Sequence, residues 1–146
     1  MKYYWISMLV VVLDQITKYL ADTTLDYRVP INVITGLNMT LVYNQGAAFS
    51  FLSDAGGWQR WFFMALSLTI SIVLIVWLRT VDRHRSYLVW GLAFILGGAI
   101  GNLIDRSLYG YVIDFIDVYY RSWHFPAFNI ADSAITLGAG LLILDM

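Results

Sequence analysis

Along the chain, apolar residues gather into four long runs, separated by two mixed stretches and one short basic one. About 20 mostly apolar residues carry a helix across a bilayer, and four segments fit that measure: about Tyr3–Ala21, Trp58–Leu78, Ser86–Ile104 and Ala127–Leu144. The third is free of charge throughout, and the fourth is interrupted only by Asp132. The stretch 22–57 contains VPINVITGLNMTLVYN, whose period-2 alternation through Leu37, Met39, Leu41 and Tyr43 predicts a hairpin or small sheet. NQGAAFSFLSDAGG after it reads as a loop, and YVIDFIDVYY in the stretch 105–126 is strand-like. The pattern predicts an α-helical integral membrane protein, with four transmembrane helices and a small extracytoplasmic β-sheet and loop region. Residues 1–146 form one membrane-embedded domain in this reading. The first run also has the outline of a cleaved signal peptide, with Lys2, an apolar core and small residues. Against that, DQITKYL stands where the cleavage site belongs and three further spans remain.

Composition sharpens the picture. The chain is 60% hydrophobic and 13% charged, with mean hydropathy +0.67, whereas soluble domains average about 25% charged residues. A net charge of −1 gives no electrostatic case for nucleic acid. With no cysteine, disulfides, thiol catalysis and cysteine metal sites are excluded. His84 and His124 are far apart and no H-E-x-x-H is present, so neither metal nor cofactor is expected.

Loop charge sets orientation. RTVDRHR, between the second and third runs, holds three arginines, and Lys2 falls on the same side. The long 22–57 stretch carries only Arg28. By the positive-inside tendency both termini are cytoplasmic, although Arg60, Arg106 and Arg121 at the outer boundary make the raw count closer. In this topology Asp14 and Lys18 fall in the outer third of the first span. Asn102, Asp105 and Arg106 end the third, Asn129 and Asp132 occupy the first two turns of the fourth, and Asp114 lies in the outer loop between them. The polar groups therefore meet at one level, near the outer face.

An Asp at mid-helix costs about 2.5–3.5 kcal/mol on insertion scales, and each Leu, Ile or Phe returns roughly 0.3–0.6. Asp132 is cheaper near a helix end, yet it still belongs against protein or water, and an intramembrane carboxylate is a functional candidate by default. Asn129 and Thr136 share its helix face, and Asp114 on the strand just upstream is free to approach. The bland alternative is a structural Asp bonded to a neighbouring helix. Two carboxylates brought close share a proton and titrate as a pair. One then serves as general base to a water, while the other, protonated, hydrogen-bonds the carbonyl under attack.

The remaining polar residues admit two readings each. Asp14 and Lys18 form an i,i+4 pair and read mainly as structural. Asp105 and Arg106 either pair with each other or leave Arg106 to bind substrate carbonyls. Asn44 positions substrate or makes a turn. Asp117 reads as the solvent-facing alternate of a strand rather than a second loop carboxylate. Gly97, Gly98 and Gly101 permit close helix approach, with Gly138 and Gly140 as the facing surface. The Asn38 sequon is too short a match to weigh.

DQITK (14–18), NQGAAF (44–49), GGAIGNLIDR (97–106), VIDF (112–115) and FNIAD (128–132) together resemble the bacterial lipoprotein signal peptidase family, signal peptidase II. The likeness runs from residue 14 to 132, and five motifs in order are far more specific than any one. It implies an aspartic endopeptidase of the bacterial inner (cytoplasmic) membrane, with its active site near the periplasmic face. Such an enzyme removes the signal peptide from lipid-modified prolipoproteins just before the diacylglyceryl-cysteine. Asp114 and Asp132 match the family's catalytic pair, and Asp14, Lys18, Asn44, Asn102, Asp105, Arg106 and Asn129 match its other polar positions. Expected partners are diacylated prolipoproteins and membrane lipid, with no cofactor and a monomeric chain. The ending LLILDM lacks the basic tail the resemblance leads one to expect, which weakens the orientation reading there and leaves the motifs untouched. The 22–57 segment, above all 46–57, is expected to act as a lid over the pair. The rival readings are an ion- or proton-coupled transporter, which usually places its site at the midplane between repeats, and a non-catalytic scaffold, which does not require both Asp114 and Asp132.

Overall fold

The computed structural model describes residues 3–46 and 56–146. In chain order the elements are α1 (Tyr4–Thr24), β1 (Ile31–Ile34), β2 (Leu37–Asn44), α2 (Gln59–Thr80), α3 (Ser86–Tyr109), β3 (Val112–Tyr120), β4 (Trp123–His124) and α4 (Ile130–Asp145). The protein is helical with a small antiparallel sheet, and α2 and α3 are long and apolar enough to cross a membrane. Helix α1 runs on to Thr24, so Asp14 falls near its middle rather than in its last third, and Lys18 lies one turn nearer its C-terminal end. Helix α4 is shorter than its apolar run, starting at Ile130.

Helix α3 is the central post, packing on α1, α2 and α4. It can do so because small residues mark its contact lines. At Gly98 an added Cβ would sit 2.4 Å from the Ala131 carbonyl oxygen of α4, and at Gly101 one would sit 2.5 Å from a carboxylate oxygen of Asp14. Any larger residue there pushes a helix away. The facing surface differs from the sequence reading: Gly138 meets Gly91, which lies outside the GGAIGN motif, and Gly140 faces open space.

The buried side of α1 is a stripe at helical spacing, Ser7, Val10, Asp14, Lys18 and Ala21, while Met8, Leu9, Val12, Leu13, Ile16 and Leu20 stay exposed. Helix α2 buries only Gln59, Phe63, Ser71 and Leu74 of its 22 residues. So much exposed apolar surface suits a hydrocarbon surrounding. Trp61 and Trp77 stand about 24 Å apart along α2 at 1.5 Å per residue, as interfacial aromatic belts do.

Strands run in the order β1-β2-β3-β4. The β1–β2 hairpin turns through Thr35 and Gly36, where φ of +92° suits glycine. Strand β2 pairs with β3 so that Val42 lies opposite Asp114 and Asn44 opposite Val112. Helix α3 ends at Gly110, whose φ of +80° gives the left-handed cap that stops a helix and starts the next strand. Beyond β4 the chain returns to β3: Phe128 accepts from the Phe115 and Ile116 amides at 3.1 and 2.9 Å and donates to the Ile116 carbonyl at 3.1 Å. That bridge sets the entry to α4 beside Asp114.

Candidate active site

Nine residues singled out by sequence meet in one buried layer: Asp14 and Lys18 on α1, Asn44 at the end of β2, Asn102, Asp105 and Arg106 on α3, Asp114 on β3, and Asn129 and Asp132 at the start of α4. None is more than 6% exposed. Four carboxylates here meet two cations, so the charge is not balanced residue for residue.

Lys18 organises one half. Its ammonium lies 2.8 Å from Asp14 Oδ2, 3.0 Å from Asp105 Oδ2 and 3.0 Å from Asn102 Oδ1, which uses all three N–H donors. Asp14 Oδ1 accepts the Ala131 amide at 2.9 Å, and Asp105 Oδ2 accepts the Ile113 amide at 3.0 Å. Gln15, which the sequence reading passed over, donates to Asp105 Oδ1 at 3.0 Å, to the Gly101 carbonyl at 3.1 Å and to Asp14 Oδ2 at 3.3 Å. Both oxygens of Asp14 and of Asp105 are therefore held. Of the two readings of Asp105 and Arg106, the mutual ion pair is not formed: adjacent residues leave a helix in different directions, and Asp105 turns to Lys18 of α1 instead.

Arg106 points the other way. Its Nη1 donates to Ser67 Oγ at 3.2 Å, its Nη2 to the Gly46 carbonyl at 3.1 Å, and its guanidinium lies 5.4 Å from the Phe63 ring centre. Asn44 Oδ1 accepts the Gly46 amide at 2.8 Å, so it does form a turn. Arg106 and Asn44 together hold Gly46 at the head of the stretch read as a lid. Residues 47–55 of that 46–57 stretch lie outside the described residues.

Asn129 links the other half. It caps α4, its Oδ1 accepting the Asp132 amide at 2.8 Å. Its Nδ2 donates to Asp114 Oδ1 at 2.8 Å and lies 3.2 Å from both the Ile113 carbonyl and Asn102 Oδ1. Asn102 Nδ2 in turn donates to Asp132 Oδ1 at 2.9 Å. The order Asp114–Asn129–Asn102–Asp132 is thus continuous, each carboxylate tied by one oxygen. The other oxygens, Oδ2 of Asp114 and Oδ2 of Asp132, are buried without a hydrogen-bond partner. Thr136 shares the Asp132 face as expected, but its hydroxyl donates to the Asp132 backbone carbonyl, not to the carboxylate.

Buried carboxylate oxygens are nearly always paired, so two open ones in one layer call for a ligand or a proton. Burial pushes the Asp114 carboxyl up to about 8, and the neighbouring Asp132 charge adds to the rise; Asn44, Lys18 and Asn129 draw it back. Beside Asp132 opens a cavity of about 380 Å³ walled by Phe125, Phe128, Ser133, Thr136 and Leu137.

Asp117 is not the solvent-facing residue expected. It is buried, its Oδ2 accepting from Thr40 Oγ1 at 3.1 Å and its Oδ1 lying 2.8 Å from His124 Nδ1. Strand pairing, invisible to alternation alone, brings these partners to it. Among the described residues no group of three or more acidic, histidine or cysteine side chains is placed to hold a metal ion.

The family model for signal peptidase (SPase) II matches residues 6–146. The chain is 58% identical over 140 residues to a lipoprotein signal peptidase of Acinetobacter baumannii, covering 96% of this chain and 80% of that one. It is 52% identical over 146 residues to a lipoprotein signal peptidase of Alteromonas mediterranea, covering 100% and 80%. A solved structure described as a bacterial membrane enzyme superposes with a TM-score of 0.87 at 37% identity, covering 98% of this chain and 85% of that one.

Proposed function

The chain belongs to the signal peptidase II family of membrane peptidases, and on that premise we propose that Asp114 and Asp132 are its catalytic pair. The reaction is hydrolysis of a diacylated prolipoprotein just before the diacylglyceryl-cysteine. The observation that carries this reading is the contrast within one buried layer: Asp114 and Asp132 alone among its four carboxylates keep an open oxygen. A water seated between the two Oδ2 atoms is deprotonated by the ionised partner as it attacks the scissile carbonyl. The protonated partner donates to the carbonyl oxygen, then a proton passes to the leaving amine. Asn129 and Asn102 hold the two Oδ1 atoms, so neither carboxylate rotates away.

All four helices span the inner membrane in this proposal, with the sheet on the periplasmic side and the carboxylates beneath it. A lipid-anchored precursor then presents its scissile bond at the depth of the pair. The cavity beside Asp132 admits the apolar part of the substrate from the side.

The test is purified enzyme acting on a diacylated precursor peptide and on its unlipidated counterpart. The lipidated peptide is cut at the cysteine and the other is not. Asp114→Asn and Asp132→Asn each lower cleavage about 10²–10⁴-fold or more with insertion unchanged. Full cleavage by either variant contradicts the assignment.

A further inference from the structure

Helices α1 and α2 both lean on α3 but leave a slot between them, its mouth at Tyr4 and Arg79, the end of α1 away from Asp14 and Lys18. The slot is a cavity of about 490 Å³ walled by Met8, Val11, Val12, Ile75, Leu96 and Ile100, with Tyr4 and Arg79 at one end. From that end it continues into a second cavity of about 340 Å³ formed by Tyr4, Leu78, Arg79 and Arg83. The Tyr4 hydroxyl donates to the Ile75 carbonyl at 3.0 Å and ties the two helices where the cavities join.

The basic loop at this mouth is not uniform. Arg85 is paired with Asp145 of α4. Among the described residues Arg79 and Arg83 have no ion-pair partner, and both are exposed. The nearest acid in sequence, Asp82, spends Oδ1 on the His84 amide at 3.0 Å. The wall from Tyr4 to Val12 runs about 12 Å along α1 at 1.5 Å per residue, close to the roughly 15 Å hydrocarbon depth of one leaflet. An apolar slot of one-leaflet depth, open to two unpaired guanidinium groups, has the charge and shape of a phospholipid site.

We propose that the α1/α2 slot binds one anionic phospholipid of the cytoplasmic leaflet, an acyl chain lying along Met8, Val11 and Ile75 and the phosphate held by Arg79 and Arg83. The proposal rests on the membrane orientation given above but not on the chemistry of the carboxylate pair. The bound lipid fills the space between two helices that the Tyr4–Ile75 hydrogen bond ties at one end, and so stiffens α1, which carries Asp14 and Lys18.

The test titrates the detergent-purified full chain with phosphatidylglycerol and, separately, with phosphatidylcholine, counting bound lipid by native mass spectrometry. One phosphatidylglycerol per chain is retained in clear preference to phosphatidylcholine. Arg79→Gln combined with Arg83→Gln weakens phosphatidylglycerol binding about 10- to 30-fold and leaves phosphatidylcholine unchanged. Met8→Trp, an exposed position on the slot wall, displaces either lipid. Equal retention of the two lipids, or no effect of the arginine changes, overturns the site. So does a chain dimer that Met8→Trp dissociates, because the occupant is then a second copy. Cleavage of the diacylated peptide is followed in the same samples. Lipid selectivity without cleavage counts against the peptidase assignment alone, and cleavage without selectivity counts against the lipid site alone.

Discussion

Asp14 and Asp105 share a buried layer with Asp114 and Asp132, yet the two pairs are finished differently. Around the first pair, Lys18, Gln15 and two backbone amides engage every carboxylate oxygen. Around the second, Asn129 holds Oδ1 of Asp114 and Asn102 holds Oδ1 of Asp132, Asn44 also acts on Asp114, and each carboxylate keeps its Oδ2 open. A satisfied buried ion cluster holds helices in register, while a half-satisfied one costs stability and persists only where something else requires it. On the proposed assignment, saturation is what separates scaffold from chemistry, since all four residues are alike in type and burial.

Changes on the two sides should therefore fail in different ways. The largest effect is on catalysis: Asp132→Asn and Asp114→Asn each lower turnover about 10²–10⁴-fold or more while the unfolding transition in detergent stays where it was or rises. Next comes Lys18→Met, which leaves Asp14 and Asp105 buried without their cation. It lowers stability by about 3–5 kcal/mol, read from the same transition. If Lys18→Met leaves stability intact, or Asp132→Asn lowers it as much, the comparison breaks. Gly98→Ala, which forces α3 and α4 apart at the Ala131 carbonyl, costs about 1–3 kcal/mol. It also lowers turnover, because Asn102 and Asp132 lie on the two helices it separates.

The smallest effect is a displacement along the pH axis. The Asp114 carboxyl, at about 8 in the fold against 3.8 in its ordinary state, is neutral below that value. It therefore leaves stability untouched below about pH 4, and it destabilises the fold progressively as pH rises from about 4 to about 8. Turnover falls as pH rises past about 8, because the shared proton is then lost. Asn44→Ala removes a group that favours the ionised form, and moves that alkaline limb upward. A pH–rate profile that does not shift argues against Asn44 acting on the carboxylate.

Much of this was legible in the residues. The apolar runs landed on α1 to α4 with ends displaced by a few positions, and alternation through Leu37–Tyr43 found β2. Charge set within long apolar runs singled out the polar layer, because such a charge is costly in an apolar setting. The partners of those charges were not legible. Asp105 chooses Lys18 over its neighbour Arg106, and Asp117 gains Thr40 and His124, only once α3 has packed and β2 has paired with β3. Gln15 escaped notice because an uncharged amide on a helix carries no cost that marks it. Gly110 was the overlooked signal for the end of α3, a glycine placed to take a left-handed cap before an apolar strand.

In the proposed mechanism Asp114 and Asp132 hold one proton between them at neutral pH. Infrared titration of the carboxyl C=O band in the membrane-reconstituted enzyme tests it directly. The wild-type chain should show a protonated carboxyl at pH 7 that disappears as pH rises past about 8, retained in a Gln15→Ala variant and missing from Asp114→Asn. A spectrum with no protonated carboxyl at pH 7, or the same band unchanged in Asp114→Asn, would contradict the claim.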